Sequence, residues 1–295
     1  MLAFPVLQFI VFWGYVNSSM IAMSFQDSYG NWSMQSFKDV FAAIGGADRW
    51  GFNLLEMTWR SVQLFLIQNV LCFGCNILLS YILTKKIAGH KIFRTCYMLP
   101  SIVGTVVFSS IMKSLYAYDG ALIAIGKMFG IKFDIMTLRN GLLGSAGTAF
   151  TTMKWQTLIF NMTGANIILT GAYMRIPADV YDAAKIDGVG FFREIFKIAV
   201  PFVWPTISML ILYASCSLLT TDYGTYLYTN GTGNPEMSTI GFYLYFLQVK
   251  IAETTRGTLY YSYASAFGLL ITALTVPVVL LVQYILGKIH ETVEY

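Results

Sequence analysis

The sequence predicts an all-α integral membrane protein: six transmembrane helices, with a cytoplasmic loop of two short helices between the fourth and the fifth. Three observations lead there. Of the 295 residues, 56% are hydrophobic and only 12% are charged. An ordinary soluble domain is roughly 25% charged, so lipid is the solvent. Six apolar stretches come close to the ~20 residues that a helix needs to cross the hydrocarbon core: 3–25, 59–84, 95–117, 148–173, 201–221 and 259–286. Between the fourth and fifth lies a polar segment, 174–205, with a helical periodicity of its own. Inside lipid each span must satisfy its own backbone, so each is read as a helix. The chain as a whole, 1–295, is read as one transmembrane domain.

The first span, 3–25, competes with a signal peptide. It has no basic n-region, its apolar run is too long for an h-region, and no A-x-A-like site follows. A retained helix is the better reading, and a short basic leader ahead of it stays open. Spans 59–84 and 95–117 are joined by KKIAGHKIFR, with Lys85, Lys86, Lys91 and Arg94 and no acid. The segment joining 148–173 to 201–221 holds Arg175, Lys185, Arg193 and Lys197, and Lys288 follows the last span. Short cationic loops stay in the cytoplasm, which places these segments and both termini inside. The opposite side dilutes its Lys and Arg over longer loops rich in Asp and Glu. Loops 26–58 and 221–257 are polar, Gly-rich and aromatic, while 118–147 contains DGALIAIGKMFGIKF, a short helix lying in the interface.

Composition also excludes several functions. A formal charge of +4, spread along the chain, does not make a nucleic-acid surface. Cys72, Cys75, Cys96 and Cys216 all sit in apolar runs. The C-x-x-C of Cys72 and Cys75 falls inside a span with no cation nearby to lower a thiol pKa, so these are packing residues. His90 and His290 have no Cys, His or carboxylate companion at ligand spacing, so no metal site is expected. There is no Walker A loop, no H-E-x-x-H and no G-x-S-x-G. Neither enzyme chemistry nor a bound cofactor is expected of this chain.

The segment 174–205 reads Met174-RIPADVYDAAKIDGVGFFREIFKIAV-Pro201-FVWPT. Pro177 suits the first turn of a helix, where its missing N–H would be unpaired anyway. Asp179 and Asp182 fall near that helix's positive end, and Val180, Ala183 and Ala184 make a narrow apolar face. Asp187-Gly188 is a turn signal that ends it. A second helix follows, with Phe191, Ile195 and Ile198 at helical spacing and Arg193, Glu194 and Lys197 elsewhere. Pro201 and Pro205 then mark entry into span five. Periodicity alone also allows a pair of interfacial helices with no docking partner.

Asp182-Ala183-Ala184-Lys185-Ile186-Asp187-Gly188, continuing to Ile198, Pro201 and Pro205, resembles the E-A-A-x-x-x-G signature of binding-protein-dependent ABC importer permeases. The resemblance implies a coupling helix that docks into a cleft on a cytoplasmic ATPase subunit. It gives that role to Tyr181, Asp182, Ala183, Ala184, Asp187 and Gly188. Two positions depart from the pattern: Asp182 stands where Glu is usual, one methylene shorter, and Val189 where Ala is usual. Other segments resemble the carbohydrate-importing, maltose-permease-like branch. They are Met98-Leu99-Pro100, Tyr118-Asp119-Gly120 with Leu122, Trp155-Gln156, and Leu227-Tyr228-Thr229-Asn230-Gly231-Thr232-Gly233-Asn234-Pro235 with Ser238-Thr239. The likeness covers nearly the whole chain. It implies a sugar or oligosaccharide permease of the bacterial cytoplasmic membrane. The implied partners are a second homologous permease subunit, two ATPase subunits holding ATP and Mg, and an extracytoplasmic sugar-binding protein.

Polar residues inside spans are costly and tend to line a cavity. Thr163, Asn166 and Thr170 form one stripe on span four, and Tyr213, Ser217 and Thr220 a similar one on span five, ending near Asp222 and Tyr223. Amides, hydroxyls and aromatic rings suit a sugar's hydroxyls and C–H faces. Asn166 is the leading candidate for the pathway. The same residues would equally serve to join helices. A second cargo, a glycerol-phosphate or another small solute, would favour a cationic lining, and spans four and five carry no central Lys or Arg. An intramembrane enzyme or passive channel would call for paired carboxylates or His within the spans, which the sequence lacks.

Overall fold

The computed structural model of the chain describes residues 3–27, 30–46, 51–85, 89–145, 147–161, 165–231, 233–253 and 258–290. Among the described residues the regular elements are all helical, apart from an isolated antiparallel bridge between Gln26 and Trp32. Among the described residues four helices are long and apolar enough to cross a membrane: Phe4–Ser24, Leu54–Thr84, Phe191–Cys216 and Tyr261–Ile289. Their exposed faces carry Phe4, Leu7, Phe12, Leu66, Val70, Met209 and Leu280, the surface that a lipid solvent accepts.

Of the expected spans at 95–117 and 148–173, the first is interrupted. The first is two helices, His90–Ile102 and Thr105–Tyr116, separated where Val103 and Gly104 turn extended, with ψ of 125° and 138°. Pro100 removes a helical donor just before the break, and Gly104 is a poor helix residue. The second comprises Ala149–Asn161 and Asn166–Tyr173. Residues 162–164 between them, Thr163 included, lie outside the described residues.

A second difference concerns the entry to span five. The sequence places a separate amphipathic helix before a boundary at Pro201. In the structure Phe191–Cys216 is one helix of 26 residues. Residues Ile195–Ala199 are π-helical, and Pro201 stands at the start of the α-helical stretch Val200–Cys216. The i→i+5 bonding of a π turn re-registers the ladder where Pro201 cannot donate.

The chain divides into two compact units, Met1–Ser61 with Leu219–Pro277 and Val62–Leu218 with Val278–Tyr295. In the first, Phe52 meets Phe242, Tyr243 and Phe246 edge-on at ring separations of 6.3, 5.8 and 5.2 Å. There the buried Ser61 hydroxyl accepts the Ile240 N–H at 3.0 Å and donates to the Met57 carbonyl at 2.9 Å. The second unit is centred on a buried cluster of Tyr81, Leu169, Tyr173, Ile195, Ala199, Val203 and Ile207. That cluster packs the end of helix Leu54–Thr84 against Asn166–Tyr173 and the start of Phe191–Cys216.

Candidate functional site

The loop helix forms as the local residues dictate, one residue later than expected. Pro177 is its N-cap, and the helix runs from Ala178 to Ile186. Beyond it the Gly188 N–H bonds the Lys185 carbonyl at 3.1 Å and the Val189 N–H bonds the Ala184 carbonyl at 3.0 Å. Gly188 sits at φ +67°. This paired closure on a left-handed glycine is a Schellman ending, so the Asp187-Gly188 turn lies where the sequence puts it.

The helix has an inner and an outer face. Val180 and Tyr181 pack against the buried cluster of Tyr81, Tyr173 and Ile195, and Ala184 is 5% exposed. Asp182, Ala183, Lys185, Ile186, Asp187 and Gly188 face solvent. The structure therefore divides the alanine pair: Ala183 looks outward and Ala184 seats the helix on its own chain. Asp182 is held in an exposed ion pair with Lys185 at 2.7 Å. Ile186, at 87% exposure, is the apolar tip of the outer face. Sequence reading passed over it, because it lies off the Val180–Ala183–Ala184 stripe.

Beneath the inner face lies an aromatic and ionic cluster that no local pattern announces. Lys85, which ends helix Leu54–Thr84, forms an ion pair with Glu194 at the start of Phe191–Cys216. The same ammonium lies 4.4 Å from the centre of the Tyr181 ring and 5.1 Å from that of Tyr81. Tyr81 in turn meets the rings of Tyr173, Tyr181 and Phe191 at 5.5, 6.4 and 6.0 Å. Burial, with Glu194 close by, pushes the Tyr181 phenol up to about 12, so it remains a neutral hydroxyl throughout the physiological range.

The second feature is a cavity of about 240 Å³ within the same unit. It is lined by Gln68, Asn69, Phe73, Asn76, Asn161, Ala165, Ile168, Leu210, Tyr213 and Ala214. Gln68 and Asn69 lie in a π-helical stretch, Ile67–Cys72, a feature frequent at functional sites. Asn76 is committed to structure: its amide donates to the carbonyls of Cys72 and Asn161 at 3.0 and 3.1 Å, and its oxygen accepts from Tyr97 at 3.0 Å. Among the described lining residues none is charged.

The residues expected along the pathway separate. Tyr213, 78% exposed, lines the cavity. Asn166 and Thr170 are fully buried, and the Asn166 carbonyl oxygen accepts from Ser80 at 2.8 Å and from Thr170 at 3.0 Å. They join helix Leu54–Thr84 to Asn166–Tyr173. Ser217 closes the end of its helix on the Ala214 carbonyl at 2.8 Å. Thr220 is exposed, and its carbonyl lies in the turn that approaches Gly241 so closely that a Cβ there would stand 2.5 Å from it. Gln68, Asn69 and Asn161 were missed as lining residues; the clustering of amides on spans two and four was the available signal.

The family described as binding-protein-dependent transport system inner membrane component matches residues 76–291. The chain is 26% identical over 216 residues to the multiple sugar-binding transport system permease protein MsmF of Streptococcus mutans, covering 73% of this chain and 70% of that one. It is 26% identical over 199 residues to the lactose transport system permease protein LacF of Rhizobium radiobacter, covering 63% of each. It is also 26% identical over 201 residues to the probable ABC transporter permease protein YesP of Bacillus subtilis, spanning 65% of this chain and 62% of that one. Among solved structures, a chain of a bacterial ABC transporter involved in import of the acidic polysaccharide alginate superposes with a TM-score of 0.75 at 19% identity. That match covers 98% of this chain and 94% of the other, a likeness of fold.

Proposed function

The chain belongs to the family of binding-protein-dependent transport system inner membrane components, and from that premise we propose that it is the permease subunit of a bacterial ATP-driven importer of a sugar or oligosaccharide. The observation that carries the reading is the loop helix Ala178–Ile186, with Asp182, Ala183, Ile186, Asp187 and Gly188 on its outer face. Helices of this kind, rigidly closed and seated on a buried cluster, suit a docking contact with another chain. Tyr181 and Ala184 act from the inner face, by fixing the helix to its own chain. The partner we infer is an ATPase, as the resemblance of the Asp182–Gly188 segment implies, and ATP and Mg would be held there.

The cargo follows from the cavity. Amides and a phenol offer donors and acceptors, Phe73 and Tyr213 offer apolar faces, and none of the described lining groups is charged. A neutral carbohydrate fits that set better than a phosphate ester, which would call for cations. Two of the relatives whose names state a cargo, MsmF and LacF, are named as permease proteins of a multiple sugar-binding and a lactose transport system. Tyr213 belongs to the substrate pathway with Gln68 and Asn69, while Asn166 and Thr170 support it from behind. The assembly comprises this chain, a second homologous permease, two ATPases and an extracytoplasmic sugar-binding protein, in a bilayer, with both termini cytoplasmic. Alternating access then needs bistable packing rather than covalent chemistry.

Expression with its neighbouring subunits, mild solubilisation and identification of what co-purifies tests the assembly. Reconstitution into liposomes with labelled lactose and trehalose tests transport. ATP-dependent accumulation of a sugar is expected; a stable single chain that retains no ATPase would overturn the reading.

A further inference from the structure

We propose that Lys85 is a positioning residue for coupling: by pairing with Glu194 and lying over the Tyr181 ring, it fastens the loop helix to the helix that lines the cavity. This rests on the reading of the loop helix as the ATPase contact and goes beyond it, since Lys85 lies outside the loop.

The geometry is specific. Lys85 follows directly on helix Leu54–Thr84, which presents Gln68, Asn69, Phe73 and Asn76 to the cavity. Its ammonium meets two other segments at once. It pairs with the Glu194 carboxylate of helix Phe191–Cys216 and stacks on Tyr181 of the loop helix, 4.4 Å from the ring centre. Glu194 is only 12% exposed and Lys85 31%. An ion pair withdrawn from water this far returns little net stability against its desolvation, whereas it strongly favours one arrangement of its partners. The cation–π contact adds direction, because the ammonium must stay over the ring face. Tyr81, one helical turn before Lys85, completes the seat by touching Tyr173, Tyr181 and Phe191.

The mechanical consequence follows from continuity. Helix Leu54–Thr84 is joined to Asn166–Tyr173 through Ser80 and Asn166, at 2.8 Å, and to Asn161 through Asn76, at 3.1 Å. A displacement of the loop helix pulls on Tyr181, and through Lys85 it reaches the end of the helix that carries Gln68 and Asn69. Without the ammonium, the loop helix keeps its apolar seat but loses its fastening to that helix.

The test uses the complete transporter in nanodiscs and liposomes. Lys85→Met should speed amide exchange over residues 178–186 by about tenfold and raise the ATP consumed per sugar imported several-fold. Lys85→Arg, which keeps both the charge and the stacking, should restore both to within about twofold. Should Lys85→Met fail to assemble, Glu194→Gln, which keeps the shape and removes the pair, takes its place with the same expectation. Unchanged exchange over 178–186 in the Met and Gln variants overturns the proposal. So does an Arg variant as defective as Met, because shape rather than charge would then hold the helix. If the exchange result holds but wild type purifies as a stable single chain that retains no ATPase, the transport reading fails and the coupling role with it, while the fastening stands.

Discussion

Gly188 holds φ at +67° with nothing within 4 Å of where a Cβ would stand, so a substitution there meets backbone strain rather than a clash. An L-residue in that region costs about 1–2 kcal/mol, and Gly188→Ala should lower the melting midpoint modestly. Gly188→Pro is harsher, because proline fixes φ near −65° and removes the N–H that closes on the Lys185 carbonyl. Its expected result is ATP hydrolysis that continues with little sugar accumulated; coupled uptake at the wild-type ratio would remove this turn from the mechanism. Asp222 makes a different kind of prediction. One of its carboxylate oxygens accepts the Tyr226 N–H at 3.2 Å while the other is buried with no hydrogen-bond partner among the described residues. Burial pushes its pKa up to about 6 against backbone N–H bonds that pull it down. The folded state therefore holds this proton more tightly than the unfolded one, and stability falls as pH rises from about 4 through about 6. Thermal midpoints across that range should fall more for wild type than for Asp222→Asn; parallel curves would place the carboxylate in water.

At the scale of elements, the sequence was most informative where backbone rules act locally. Pro177, Asp187 and Gly188 mark the ends of the loop helix because proline fixes φ and glycine takes a positive φ without strain, whatever surrounds them. The stripe of Asn166 and Thr170 was legible as one face of a helix, yet nothing local says whether that face meets a cavity or another helix. The structure gives it to Ser80. Replacing Asn166 by Leu leaves the Ser80 and Thr170 hydroxyls without their acceptor, at a cost of about 0.6–1.7 kcal/mol for an interhelical hydrogen bond of this kind. A lower unfolding midpoint in detergent is expected. A changed sugar affinity at unchanged stability would return Asn166 to the pathway. The continuous helix Phe191–Cys216 was illegible for the opposite reason: two prolines read as a boundary, and the π turn at Ile195–Ala199 that carries the chain past Pro201 leaves no compositional mark. Lys85 and Glu194 stand 109 residues apart, and only the fold brings them together.

For the molecule as a whole, the decisive contrast is between a cavity whose described lining carries no charge and a loop helix that displays it. The cavity, at about 240 Å³, falls below the ~300–1,000 Å³ typical of sites that enclose a drug-sized ligand. On the proposed reading it would seat part of a sugar in transit rather than enclose a whole one. Gln68, Asn69 and Asn76 sit on the helix that Lys85 terminates, so on the proposed reading the loop helix and the sugar act on one structural member. Replacing a lining group should then affect passage without affecting assembly. Tyr213→Ala and Gln68→Leu each remove a hydrogen-bonding side chain worth about 0.5–1.5 kcal/mol, equivalent to about a two- to twelvefold change in uptake. The loss should appear in the rate or KM for the sugar, while the ATPase co-purifies in the usual amount. Pairing either change with Lys85→Met discriminates further. If cavity and clasp act in series on one motion, the double variant loses less than the product of the two single losses. A strictly multiplicative loss would mean that the two act independently, and that helix Leu54–Thr84 does not carry the signal between them.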